Sequence, residues 1–470
     1  MKSDPDINEK EDKSFRDSIA TINKEGKREW IFPLKPKGKY YRLRTYFSYF
    51  FLLLLFTVPF LKMNGEPLFL VNILERKFIL FGMIFWPQDF FIFGVGMLIF
   101  IVFIALFTVI FGRVFCGWAC PQTIFMEMVF RKIEYWIEGD AAHQRVLAKE
   151  PWNSTKIRKR VTKWILFFLI SFLIANTFLS YILGSDQVIK MATEPIASHK
   201  GTFIALMVFT SIFYFVYIWF REQVCLIVCP YGRMQGVLLD KESIVVAYDY
   251  KRGEPRHKFV KNDVEKGHCI DCELCVKVCP TGIDIRNGTQ LECTNCTACI
   301  DACDTIMEKV NYPKGLIRFD SENGISQKKK LTFNTRMKAY SAVLLVLIGL
   351  EVTLLATRSD YDATILRAKG MLYQEQPDDK VSNLFSIKLV NKTHDNLPVV
   401  MKVENMEGEI KLVGKELSLK GESVSEGTFF IILRKKLIKE RKTELKIGLY
   451  SNNKKIKTVK TNFLGPVNSN

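Results

Sequence analysis

The chain has 470 residues, of which 48% are apolar and 37 are phenylalanine, and it carries a formal net charge of +18. That apolar load is rich for a soluble protein and points to membrane segments, while the length leaves room for two or three compact units. The basic residues collect beside apolar runs, so the excess charge is accounted for without a nucleic-acid partner.

Residues 1–44 are polar and hold twelve Lys and Arg, with no apolar core near Met1 of the kind a signal peptide needs. Charge-free runs follow at Thr45–Leu61, Phe90–Phe111, Trp164–Ser185 and Gly201–Phe220, and a fifth, Ala339–Thr357, contains one acid, Glu351. Each is near the roughly 20 residues that a helix needs to cross hydrocarbon. A buried core helix can be equally apolar, but five such runs flanked by basic clusters and Trp or Tyr fit a bilayer. Loop charge sets the direction: the arm, "RK" at 131–132 and the loop sequence "KIRKR" at 156–160 belong to the cytosol. The loops 62–89 and 186–200 hold only five Lys and Arg between them. The expected organisation is a cytosolic arm 1–44, four helices in two hairpins over 45–220, a cytosolic domain 221–338, a fifth helix 339–357 and an external domain 358–470. Within the first external loop, the apolar segment 67–89 is broken by Glu75, Arg76 and Lys77 and is expected to lie at the membrane interface.

After the second run stands "FCGWACPQT", with Cys116 and Cys120 four apart and a proline next. After the fourth stands "REQVCLIVCPYGRMQ", with Cys225, Cys229 and Pro230. Four apart on a helix puts both sulfurs on one face, and the proline suits the first turn of a new helix. Cys120 and Cys229 are thus expected near helix N-termini, which lower a thiol pKa. If the two couples meet, four soft donors gather at the membrane boundary. Such donors select Cu(I), and Met126 and Met234 could assist. A third iron–sulfur site, a redox disulfide and inert packing are the alternatives.

All twelve cysteines lie between 116 and 303 in close groups, which favours metal binding over a disulfide framework. "CIDCELCVKVC" gives Cys269, Cys272, Cys275 and Cys279; "CTNCTACIDAC" gives Cys293, Cys296, Cys299 and Cys303. Each is the C-x2-C-x2-C-x3-C run of bacterial ferredoxins, in which the fourth cysteine serves the other cluster. One 4Fe–4S cluster is then expected on Cys269, Cys272, Cys275 and Cys303, and the other on Cys293, Cys296, Cys299 and Cys279. Zinc ribbons normally space two CxxC knuckles more widely. Gly282, Gly288 and Asn295 suit the tight turns, and Asp304 replaces the proline found at Pro280. No flavin or nicotinamide fingerprint accompanies the runs, so the unit reads as an electron relay.

The tail alternates in "LFSIKLV", "LPVVMKV", "EIKLV", "TFFIILRKKL" and "TELKIGLYS", which predicts a small immunoglobulin-like sandwich. The five histidines, His143, His199, His257, His268 and His394, all fall outside the runs, which argues against a bis-histidine haem. Glu351, Asp186, Glu194 and His199 are left without a role.

In "GMIFWPQDF", "RVFCGWACPQT", "EQVCLIVCPYGRMQ", the two-run cysteine block and "YPKGLIRFDSENG", the chain resembles the cytochrome c oxidase accessory family CcoG, also called FixG or RdxA. The resemblance runs nearly end to end. It implies a multi-pass α-helical protein of the bacterial inner membrane with five spans. An inserted two-cluster ferredoxin-like domain would face the cytosol and a C-terminal all-β immunoglobulin-like sandwich the periplasm. It further implies reduction of Cu(II) to Cu(I) for a cbb-type oxidase, with the copper-linked role on Cys116, Cys120, Cys225 and Cys229. The expected partners are lipid, a cytosolic electron donor, a copper chaperone or exporter, and oxidase subunits, with a homodimer left open. Two other readings remain: a quinol-linked carrier feeding a periplasmic reductase, and an assembly scaffold whose metal is structural.

Overall fold

The computed structural model describes residues 21–466 apart from 23–24, 26, 64, 75, 259–265, 330–333, 369, 371, 394, 415–417, 422, 439 and 452–453. Much of the basic arm, with Glu75 and His394, lies outside the described residues. Two units form: Met1–Lys62 with Gly96–Ile348, and Met63–Val95 with Gly349–Asn470.

Among the described residues, five helices are long and apolar enough to cross a membrane: Lys39–Phe60, Phe90–Phe111, Ser154–Leu183, Ile196–Phe220 and Thr335–Ala356. Apolar residues such as Leu53, Phe100, Leu169, Ile204 and Leu345 remain exposed on them, as expected for helices that are hydrophobic all round. The third helix corrects the sequence reading at its start. Asn153 accepts a hydrogen bond from the Lys156 amide and caps it, so "KIRKR" forms its first turns rather than a loop.

In the first unit, the third and fourth helices pack through Phe168 on Tyr214 and Phe178 on Phe209. Phe130, Phe167, Ile174 and Tyr217 are the centre of this core, and Leu52, Leu55 and Phe56 of the first helix pack against it. Beside it lies a layer of buried charge. Glu127, Arg131, Glu134 and Glu138 recur at helical spacing, and all but Glu127 are fully buried. Arg131 pairs with Glu127 at 3.0 Å and Glu222 at 3.8 Å, Arg221 with Glu134 at 2.9 Å, and Lys163 with Glu138 at 2.8 Å. Ions this deep are tolerable only when mutually paired.

The second unit is a β-sandwich. One sheet orders Glu409–Val413, Val424–Arg434, Lys380–Asn391 and Tyr361–Arg367, with Gln374–Gln376 on the third of these; the other orders Val400–Val403, Lys442–Ser451 and Lys454–Leu464. Phe385, Ile387 and Leu389 alternate inward along one strand and meet Phe429, Ile431, Leu445, Ile447 and Phe463. Every β-run predicted in the tail lies in or overlaps a strand; Tyr361–Arg367 and Lys454–Leu464 are additional.

The segment 67–89, expected at the membrane interface, is not α-helical. It forms an antiparallel meander of Phe69–Asn72, Lys77–Leu80 and Met83–Phe85 and belongs to the second unit. Leu70, Ile79 and Ile84 are buried in it, so the alternation there was that of strands. Asp89 just beyond is 6% exposed; it contacts Arg358 at 2.7 Å and Lys392 at 2.5 Å. Burial alone would raise its pKa, but the hydrogen bonds from Arg358 and Lys392 prevail and hold it below the usual carboxylate range. A lowered native pKa supplies stability above the unfolded value, near 3.9, that disappears as pH falls through the native one. Asp89→Ala should therefore weaken this unit by roughly 3 kcal/mol at neutral pH. In the full-length protein, amide exchange along Lys380–Asn391 should quicken at pH 7, and the difference from the parent should vanish in acid.

Candidate metal and electron-transfer site

The two cysteine runs share one backbone design. Asp271 and Glu273 flank Cys272 in the left-handed region, and Asn295 and Thr297 flank Cys296 in the same way. A helix then begins in each, Leu274–Lys277 with Cys275 second and Ala298–Lys309 with Cys299 second. Gly282 and Gly288 take positive φ as the turn reading required. Cys303 stands one turn beyond Cys299 on the same helix. One cavity is lined by Cys269, Cys272, Cys275 and Cys303. A second is lined by Cys279, Cys293, Cys296 and Cys299, with Cys275 between the two. The fold thus exchanges the fourth cysteines, and the residues fit two cubane-sized groups. Cys272 is exposed, whereas the second set is at most partly accessible. Asp304 accepts a hydrogen bond from the Gly315 amide at 2.9 Å, and His268 stacks on Tyr312 at 4.8 Å; both are structural.

The two dithiol motifs meet. Cys120 and Cys229 are each the residue before a proline-led helix, with closely similar extended backbones. Phe115 and Tyr231 pack edge to face at 5.8 Å, and Tyr217 donates to Gln122 at 2.6 Å. Cys116 donates to Gln235 at 2.9 Å, and Gln235 donates in turn to Thr108 at 3.2 Å. No disulfide joins any two of the twelve cysteines. Cys225 feels the charges of Cys120, Cys116 and Cys229, so the four form one electrostatic group.

Burial overturns the expected lowering of the thiol pKa at Cys120. Desolvation, chiefly, pushes Cys116 up to about 11 and Cys225 up to about 12, and it raises Cys120 despite amide hydrogen bonds from the helix start. A metal cation entering here must displace protons. Met126 is buried in the aromatic core and Met234 is exposed on its helix. Among the described residues, no three His, Cys, Asp or Glu side chains stand at the spacing of a single-ion site.

The first motif is pressed onto the second cluster loop, a contact that sequence reasoning missed. A Cβ on Gly117 would overlap the Thr294 carbonyl oxygen and stand 3.0 Å from the Cys296 nitrogen. Trp118 donates to the Asn295 carbonyl at 3.2 Å, and Arg44 donates to the Gly117 carbonyl at 2.7 Å. The glycine inside "CGWAC" was the available signal. Beyond this centre, His199 contacts Glu194 at 2.5 Å and Asp186 pairs with Lys62 at 2.6 Å, while Glu351 Oε2 is buried with no hydrogen-bond partner among the described residues.

Comparison with known proteins matches residues 220–322 to a 4Fe-4S dicluster domain and 93–139 to a 4Fe-4S binding domain. Residues 352–466 match the "IG-like fold at C-terminal of FixG". Protein RdxA of Cereibacter sphaeroides is 32% identical over 80% of this chain and 83% of its own length, and RdxB of the same organism is 34% identical over 78% and 80%. The nitrogen fixation protein FixG of Rhizobium meliloti is 30% identical over 85% and 84%.

Proposed function

We propose, since this chain belongs to the family of RdxA, RdxB and FixG and is an iron–sulfur electron-transfer protein, that it reduces Cu(II) to Cu(I) in a bacterial inner membrane. The product would serve the copper centre of a cbb-type cytochrome oxidase. One 4Fe–4S cluster is assigned to Cys269, Cys272, Cys275 and Cys303, and the other to Cys279, Cys293, Cys296 and Cys299. Bound there, the clusters supply one-electron transfer. Copper is the substrate, taking one electron per ion, and Cys116, Cys120, Cys225 and Cys229 are the donors that receive it. Thiolates hold Cu(I) better than Cu(II), so binding and reduction pull the same way. The observation that carries this reading is Gly117, which lays the copper-binding loop against the backbone of Thr294 and Cys296. The exposed Cys272 lies in the other set, where an electron donor can reach it.

The test uses anaerobically purified, dithionite-reduced full-length protein. Adding Cu(II) should bleach the reduced-cluster signal and yield one Cu(I) per electron lost. Clusters that stay reduced in copper but respond to a quinone would replace this reading with the quinol-linked carrier.

The match of residues 93–139, which include Cys116 and Cys120, to a 4Fe-4S binding domain supports a second reading, a third iron–sulfur cluster on the four dithiol cysteines. Iron analysis separates the two, at about eight iron atoms per chain for two cubanes and about twelve for three.

A further inference from the structure

Arg113, the residue that opens the turn before Cys116, is 3% exposed. Its guanidinium donates to the Leu291 carbonyl, in the segment leading to Cys293, and its Nε has no hydrogen-bond partner among the described residues. No described carboxylate lies within ion-pair distance of it, whereas the equally buried Arg131 and Arg221 are both neutralised by glutamates. On its other side it faces the second dithiol motif. A Cβ on Gly232 would stand 3.0 Å from Nη2 and 2.9 Å from the Cys225 carbonyl, so only a glycine leaves room for the guanidinium there. A permanently charged side chain cannot shed its proton to escape burial, and an uncompensated buried cation is strongly unfavourable. Its countercharge has to come from the two motifs it is wedged between, the loop leading to Cys293 and the second dithiol motif. Its charge acts on Cys116, Cys225 and Cys293, one thiol from each of three separate motifs.

We propose that Arg113 is the shared counter-cation of two thiolate centres, the dithiol quartet and the Cys279, Cys293, Cys296, Cys299 set. It acts as a positioning residue that favours negative charge on both sides of their contact. Thiolate-bound iron–sulfur centres are anionic, and a fixed cation beside one of them favours its reduced form. The first set lies outside this influence: the charge near Cys275 is that of Arg286, which Asp284 and Asp271 already pair. Arg113 therefore makes the two clusters unequal, raising the potential of the one that Gly117 touches. The inference about the cluster stands on the iron–sulfur assignment alone; the part about the quartet also rests on the proposed function.

The experiment is an EPR-monitored redox titration of the full-length protein with Arg113→Gln and Arg113→Lys, without copper. The Cys272→Ser variant identifies which signal is the first cluster's. In R113Q the second cluster's midpoint should fall while the first stays in place, and R113K should restore the parent value. Equal shifts of both clusters, or none, would overturn the proposal, as would an R113K midpoint as low as that of R113Q. If R113Q does not assemble clusters, R113K decides alone: its second midpoint must match the parent. Competition with Cu(I)–bicinchoninate then reads the quartet separately. Weaker Cu(I) binding in R113Q extends the role to the dithiols, and unchanged binding overturns that half while leaving the cluster half standing.

Discussion

Replacing Cys116 and Cys225 together with alanine slows the oxidation of the reduced protein by Cu(II) by at least about a hundred-fold, the scale on which misplacing a reacting group is felt. One sulfur is lost from each motif, so neither couple can close on an ion. The eight remaining cluster cysteines are untouched, so iron should stay at the parent value; a fall by a third would establish the third-cluster reading instead. Gly117→Ala is the finer test of the same route. It keeps every sulfur, but its methyl overlaps the Thr294 carbonyl, and overpacking of this kind costs about 1–3 kcal/mol or drives the loops apart. Equilibrium Cu(I) binding should persist while the rate drops about tenfold. A parent-like rate in G117A would reduce the contact to packing.

Arg131→Met destabilises the first unit by about 3–5 kcal/mol, the range seen when one member of a buried ionic group is removed. The guanidinium is 2% exposed and lies between Glu127 and Glu222. Glu222 keeps Arg28 and Arg221, but Glu127 loses its ion-pair partner. Thermal unfolding of the purified protein measures this. Adding Glu127→Gln should recover part of the loss, because the orphaned charge is then gone. If the double variant is no better than the single one, the charges act independently. Glu127 follows Cys120 by seven residues and Glu222 precedes Cys225 by three, so the same group sets the relative position of the two dithiol motifs.

The cysteine runs announced themselves because their chemistry is carried by spacing, and spacing is visible in a linear sequence. The left-handed turns at Asn295 and the exchange of Cys279 and Cys303 followed from the same pattern. The apolar helices were equally legible, since their signal is composition over many residues. Three things were not. The meander at 69–85 reads as a generic apolar stretch, because its alternation is short and interrupted by turn residues at 73, 74 and 76. The thiol acidity depended on burial, a property of packed neighbours such as Gln235 and Tyr231 that no local pattern encodes. Arg113 and Gly117 are single residues whose meaning lies in what they touch almost two hundred positions away, Leu291 and Thr294.

Asp89 and Arg358 are 269 residues apart in the chain, and this separation bears on biogenesis. The meander leaves the ribosome early, yet the cations that neutralise Asp89 arrive only after the last apolar helix has been made. Throughout that interval the early hairpin is a nascent fragment with a bare carboxylate and an incomplete sandwich. Completion of the second unit is thereby tied to synthesis of the chain beyond the last apolar helix.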